Sequence, residues 1–162
     1  MKKIILLLLI SCSFIIGQDR QQLGKNTIAE IYIASNQVLS MPAANTYYQV
    51  VGFSSGVLQN ASVSSSRVTI KQSGYYKITY SASFTHANNN TIIHISLFVD
   101  GVENTKMEIE RKIGSGGDLG AASASSIVYL NANQIIDMRA RTETNTGNLT
   151  TTHANFSAIL IR

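Results

Sequence analysis

Along most of this chain, apolar and polar residues alternate with a period of two. The clearest run is Tyr75–Phe84. Tyr76, Ile78, Tyr80, Ala82 and Phe84 share one face, and Tyr75, Lys77, Thr79, Ser81 and Ser83 share the other. Such a run predicts a β-strand with one dry face and one wet face. Lys106–Lys112 repeats the pattern, with Met107 and Ile109 against Lys106, Glu108 and Glu110. In Gln134–Thr142, Ile136, Met138 and Ala140 oppose Asp137, Arg139 and Arg141. These three runs suit a sheet with one side in water.

Four other runs carry apolar residues on both faces. Thr27–Ser35 sets Ala29, Ile31 and Ile33 against Ile28, Glu30 and Tyr32. Thr91–Val99 sets Ile93, Ile95, Leu97 and Val99 against Ile92, His94, Ser96 and Phe98. Ser125–Leu130 has Val128 and Leu130 against Ile127 and Tyr129. Asn155–Arg162 has Phe156, Ala158 and Leu160 against Ser157, Ile159 and Ile161. A two-layer sandwich buries one face of each sheet, so a second apolar face needs another subunit or an extra segment over it. Shorter strands are predicted at Tyr47–Phe53, after Pro42, and at Arg67–Lys71. Asp100-Gly101 is a hairpin turn, because both positions tolerate positive φ. Gly114–Gly120 is a glycine-rich surface loop without the Lys-Ser/Thr ending of a phosphate loop. No stretch has a helical period, and the fold class is all-β, a sandwich of two antiparallel sheets.

The first residues do not share this pattern. Met1-Lys2-Lys3 is basic, Ile4 to Ile16 is almost wholly apolar, and Gly17 is a small residue at a plausible cleavage point. Residues 1–17 read as a secretory signal peptide. Residues 18–26 read as a linker and residues 27–162 as one domain. Leu9-Ile10-Ser11-Cys12 resembles a bacterial lipobox. Lipidation at Cys12 is the alternative to free secretion and the only route to a membrane. Cys12 is the sole cysteine, so the domain itself has neither a disulfide nor thiol chemistry. The chain of 162 residues has 13 basic and 9 acidic residues, a net charge of +4. Without Lys2 and Lys3 the balance falls to +2, and no basic run remains to bind nucleic acid.

Gly74-Tyr75-Tyr76-Lys77-Ile78-Thr79-Tyr80 resembles the Gly-x-Tyr-x-Phe-x-Tyr strand of the complement C1q globular head, with Ile78 at the usual aromatic. Ala124-Ser125-Ser126-Ile127-Val128-Tyr129-Leu130 is similar to that family's small-Ser-x-x-apolar-x-Leu strand. Asn133-Gln134 stands in place of its Gly-Asp turn. Asn155-Phe156-Ser157-Ala158-Ile159-Leu160 is similar to its closing Phe-Ser-Gly-x-Leu strand. The resemblance covers about Thr27 to Arg162. It implies the jelly roll shared with the tumour necrosis factor superfamily, assembled as a homotrimer with one sheet of each subunit facing the three-fold axis. On that reading Tyr76, Ile78, Tyr80, Phe84, Leu130, Phe156 and Leu160 are core. Ile92, His94, Ser96, Phe98, Ile127, Tyr129, Ile159 and Ile161 are trimer-interface candidates. The Gly-X-Y stalk of collagen-tailed members is missing from this sequence.

Candidate chemistry is sparse. His86, His94 and His153 lack metal-ligand spacing. His94 is the one histidine on a subunit-facing side. Three copies near a trimer axis could hold a metal or an anion, although a hydrogen-bonded interface histidine is the simpler reading. Thr-His-Ala-Asn occurs at Thr85–Asn88 and Thr152–Asn155. The two copies are expected at opposite ends of the sandwich, as chance repetition. No nucleophile–base–acid constellation, cofactor motif or tight acidic cluster for calcium is present, so no catalytic residue, cofactor or metal is assigned. The expected function is a secreted or surface-displayed homotrimeric module that binds a protein or glycan without catalysis. The alternative is a structural subunit of an extracellular matrix, an appendage or a virion surface.

Overall fold

A computed structural model describes residues 26–115 and 117–161. The segment read as a signal peptide, Cys12, and the segment read as a linker as far as Lys25 lie outside the described residues. Twelve strands and no helix are present among those described. They are β1 (Ile28–Ile33), β2 (Gln37–Met41), β3 (Tyr48–Gln49), β4 (Ser54–Gln59), β5 (Ala61–Ser64), β6 (Arg67–Ile70), β7 (Gly74–His86), β8 (Thr91–Val99), β9 (Val102–Ile113), β10 (Gly120–Leu130), β11 (Ile135–Thr142) and β12 (Gly147–Ile161). One sheet, here sheet A, runs β10-β7-β12-β1-β4, with β2 also on β12. The other, sheet B, runs β5-β6-β11-β8-β9, with β3 also on β11. Every pairing is antiparallel.

The core is made by the inward residues of both sheets. Tyr76, Ile78, Tyr80, Phe84, Leu130 and Phe156 are buried, together with Ile31, Ile93, Ile95, Leu97, Met107 and Ile136. Leu160 is half-buried and packs against them. The outward residues of β7 alternate with these as the period of two requires.

Tyr80 does more than fill volume. Its hydroxyl crosses the sandwich from sheet A to sheet B. There it contacts the carbonyl oxygens of Ile95 (3.0 Å) and Met107. The β8–β9 register shifts between Ile95 and Leu97. Met107 falls in the stretch of β9 between Asn104 and Ile109 that has no register partner on β8, and a buried carbonyl without a donor is costly. The phenol supplies that donor, and burial raises its pKa, with Glu108 and Glu103 adding to the shift. The Tyr76 hydroxyl instead donates to the Gln72 carbonyl at 2.6 Å, at the edge of the sandwich.

The turns follow residue chemistry. Asp100 and Gly101 have φ of 50° and 82°, the pair of positive values that a two-residue hairpin needs between β8 and β9. The Asp100 carboxylate accepts from the backbone N–H of Ile135 and the side-chain amide of Gln134, both 2.8–2.9 Å away. The hairpin is thereby tied to the start of β11. Asn133 has φ of 72°, so it takes the left-handed turn position before β11.

The sequence pattern misplaces two strands: Tyr75–Phe84, grouped with Lys106–Lys112 and Gln134–Thr142, lies instead in sheet A as β7, and Thr91–Val99 has exchanged places with it. Thr91–Val99 is apolar on both faces and was expected beside the first and last strands. It lies in sheet B as β8, while β7 takes the place between β10 and β12 in sheet A. The cover over its second face is intramolecular. Tyr47, from the segment after Pro42, packs edge-on against Phe98 with ring centroids 4.9 Å apart. The Arg139 guanidinium lies 4.3 Å from the centre of the same ring. A neighbouring subunit is not needed there.

Tyr80→Phe should destabilise the fold by about 1–3 kcal/mol, since it strips a buried donor from carbonyls that have no water to turn to. Urea unfolding measures this as a lower midpoint at unchanged slope. An unchanged midpoint would mean that the cross-sheet bond contributes nothing.

Candidate functional site: the outer faces of the two sheets

The outer face of sheet A is ordered in rows by its register. Tyr129, Tyr75 and Ile161 form the first row, followed by Ile127, Lys77, Ile159 and Ile28. Ser125, Thr79, Ser157 and Glu30 come next, then Ser123, Ser81, Asn155 and Tyr32, and finally Ala121, Ser83 and His153. The first two rows are apolar apart from Lys77. Tyr75 and Ile127 are 60% and 62% exposed, and Tyr129, Ile159 and Ile161 are exposed as well. Tyr75 and Tyr129 make an edge-on contact at 5.2 Å. Isolated exposed apolar residues are ordinary, but a contiguous set on one sheet face is not.

The opposite end of this face changes character. Small residues from β7, β10 and β12 leave a trough of about 520 Å³ lined by Ser81, Ser83, Ala121, Ser123, His153 and Asn155, among others. The β7–β12 register shifts between Thr151 and His153, and the Thr152 hydroxyl donates to the Ser83 carbonyl at 3.1 Å. The two Thr-His-Ala-Asn segments, expected at opposite ends of the sandwich, instead lie near each other on neighbouring strands, offset along the β7–β12 pair. Thr85 pairs with Thr150, and Ser83 with His153. Antiparallel pairing of β7 with β12 puts the end of one beside the beginning of the other.

The outer face of sheet B carries charge. His94 is buried at 1% exposure. Its Nδ1 lies 2.8 Å from Glu108 Oε1 and 3.1 Å from Arg141 Nη2, and its Nε2 lies 2.9 Å from Glu143 Oε1. Arg141 also donates to Glu108 at 3.1 Å. The Tyr47 hydroxyl lies 2.7 Å from Glu103 and 2.8 Å from Glu108. Burial acts to raise the Glu108 pKa, but hydrogen bonds from Tyr47, Arg141 and His94 outweigh it and hold the carboxyl below the usual range. For Arg141, burial opposes the charge, yet Tyr47 and Glu108 raise its pKa. Tyr47 is raised by burial first and by its bond to Glu103 second. Among the described residues, His94, Glu110 and Glu143 form a group whose donor atoms all lie within 4.8 Å of one another.

The eight interface candidates therefore divide. Ile127, Tyr129, Ile159 and Ile161 share the outer face of sheet A. Ile92, His94, Ser96 and Phe98 belong to sheet B, with His94, Ser96 and Phe98 buried within the subunit. His94 and Ile127 do not lie on a common face, so His94 cannot line an axis faced by sheet A. The sequence also missed Tyr75 as a member of the sheet A patch. Its pairing with Tyr129 depends on the β7–β10 register, which alternation alone does not reveal. A second polar hollow, of about 330 Å³, lies beside Arg67, Asp100, Gly101, Ile135, Asp137 and Arg139. The buried Asp137 there pairs with Arg139 at 2.6 Å and lies 3.7 Å from Arg67.

No protein-family model and no curated protein matches the chain in sequence. Solved structures do match in shape. Eiger TNF from S. frugiperda superposes with a TM-score of 0.58 at 11% identity, covering 85% of this chain and 93% of that one. Murine APRIL superposes with a TM-score of 0.58 at 11% identity, covering 85% and 100%. The fold is the jelly-roll sandwich of the tumour necrosis factor and C1q type.

His86 gives this architecture a pH dependence. It is buried at the end of β7, and its Nδ1 accepts from the Asn88 backbone N–H at 3.1 Å. The proton of the neutral ring therefore sits on Nε2, which has no hydrogen-bond partner among the described residues. Burial lowers the pKa below the ordinary value of 6.5. Above that value both folded and unfolded chains keep the ring neutral, and stability is full. As pH falls below it, the unfolded chain takes up the proton first, and stability is lost down to the folded pKa. The urea midpoint should fall between about pH 7 and pH 5, and His86→Gln should flatten that fall. An equal fall in the variant would show that another group is responsible.

Proposed function

We propose that this chain is a secreted or surface-displayed recognition module that assembles as a homotrimer through the outer face of sheet A and binds a protein or glycan without catalysis. The observation that carries the proposal is the contiguous exposed patch of Tyr75, Ile127, Tyr129, Ile159 and Ile161. Burying such side chains between copies removes apolar surface from water and contributes roughly 25 cal/mol per Å². The Lys77 stem lies between Ile127 and Ile159 and can cover them while its ammonium reaches solvent. A face used this way repeats around a closed ring, and a ring gives multivalency to whatever the loops recognise.

Export is supported by the apolar run Ile4–Ile16 behind Lys2 and Lys3. Lipidation at Cys12 would instead hold the trimer at the cell surface. The hollow beside Arg67 and Arg139 and the loops at the sandwich ends are where a polar ligand would be read. The non-catalytic assignment rests on the charged groups of sheet B being spent on one another: Tyr47, Glu108, Arg141 and His94 are mutually bonded, with no free nucleophile among them.

The double variant Ile127→Glu, Ile159→Glu places two carboxylates in the proposed contact of each copy. Native mass spectrometry should find trimers of the parent and monomers of the variant, with the β-sheet circular dichroism of both alike. Trimers persisting in the variant would move the interface away from sheet A.

A further inference from the structure

The outer face of sheet A holds little charge. Among the described residues of its rows, Lys77 is the one lysine or arginine and Glu30 the one acid, with His153 in the last row. β2 and β4 add no charged residue. Lys77 and Glu30 stand on opposite flanks of the middle strand β12. Lys77 lies across from Ile159 on one side, and Glu30 across from Ser157 on the other, one row on. Lys77 is exposed, and neither residue forms an ion pair among the described residues. Glu30 is half-buried and fixed. The Asn155 amide donates to its Oε1 at 3.0 Å. Its Oε2 lies over Gly56 of β4, where a Cβ would come within 2.8 Å of it. The carboxylate is therefore turned toward the β4 edge, away from Lys77 of the same copy.

We propose that Lys77 of each copy pairs with Glu30 of the partner subunit, and that this ion pair sets which flank of sheet A meets which. The inference rests on the homotrimer proposed above and deepens it. A ring closes through heterologous contacts, in which one patch meets a different patch of the neighbour. With the strands along the ring axis, rotation keeps every row at its own height. The β10–β7 flank of one copy then meets the β1–β4 flank of the next. Lys77 arrives one row from the carboxylate, a step of two residues or about 7 Å. A lysine stem laid over Ile127 and Ile159 spans that step. Its ammonium stands in water on a free subunit and meets the carboxylate in the ring.

The apolar rows and the charged pair contribute different things. Tyr75, Ile127, Tyr129, Ile159 and Ile161 supply area, and burial of area has no preferred direction. A two-fold dimer with antiparallel strands, centred on those rows, would bury the same side chains but set Lys77 against Lys77. Like charges facing each other across an interface suppress the wrong arrangement, and opposite charges fix the register of the right one. Gly56 and Asn155 keep the carboxylate in the one place where a neighbouring lysine reaches it.

The test is the concentration at which the assembled protein dissociates, followed by light scattering and native mass spectrometry for the parent and its charge variants. Lys77→Glu should raise that concentration roughly tenfold or more, with unchanged circular dichroism. Lys77→Glu combined with Glu30→Lys should bring it back to within about threefold of the parent. Because Glu30→Lys sets a second donor beside the Asn155 amide, a neutral cycle accompanies the swap. Glu30→Gln keeps the acceptor for Asn155, and Lys77→Gln added to it should cost nothing further. The ion pair alone is overturned if the parent trimerises while the losses from Glu30→Gln and Lys77→Gln simply add, or while Lys77→Glu leaves assembly unchanged. A parent that stays monomeric overturns the homotrimer itself, and the pair with it.

Discussion

A sandwich of two sheets hides one face of each sheet and leaves the other to be dealt with. That constraint governs this molecule. Sheet B meets it within the subunit, by laying Tyr47 and Arg139 over Phe98 and by closing a network of charges around His94. Sheet A has no such cover among the described residues. Its outer rows hold Tyr75, Tyr129, Ile127, Ile159 and Ile161 in the open. The two faces differ because the Pro42–Val50 segment pairs with β11 and lies over only one of them.

The interior sets the distance between the layers. Tyr80 spans it, with its ring in the core and its hydroxyl on carbonyls of the opposite sheet. A phenylalanine could fill the space but would leave the Ile95 and Met107 carbonyls without this donor. Packing and hydrogen bonding therefore select the same residue, and the opposing sheet is held in register by a side chain as well as by volume.

How much of this was legible in the sequence depended on what each strand buries. Strands with clean alternation, such as Tyr75–Phe84 and Gln134–Thr142, were visible because burial leaves a period of two. β4 was not, since all six of its residues are exposed and none obeys an apolar period. β2 was missed because its exposed face carries apolar Val38 while its inner face opens on Gln37, β5 because it is only four residues long, and the first half of β12 is largely Thr, Asn and Gly. The double-sided pattern of Thr91–Val99 was read correctly as a face needing cover, but alternation cannot say whether a loop or a subunit provides it. The answer lies in Tyr47, dozens of residues away. His94 shows the same limit. Its buried setting is created by Glu108, Arg141 and Glu143, which come from other strands and a turn, and no local spacing announces them.

The central claim is that the open face of sheet A is closed by copies of the same chain. Its most direct test is the mass in solution of Gln18–Arg162, by light scattering behind a sizing column at micromolar concentration. The account predicts a single species of three times the chain mass. A monomer at that concentration would contradict it, and the patch around Tyr75 and Ile127 would then belong to a different partner.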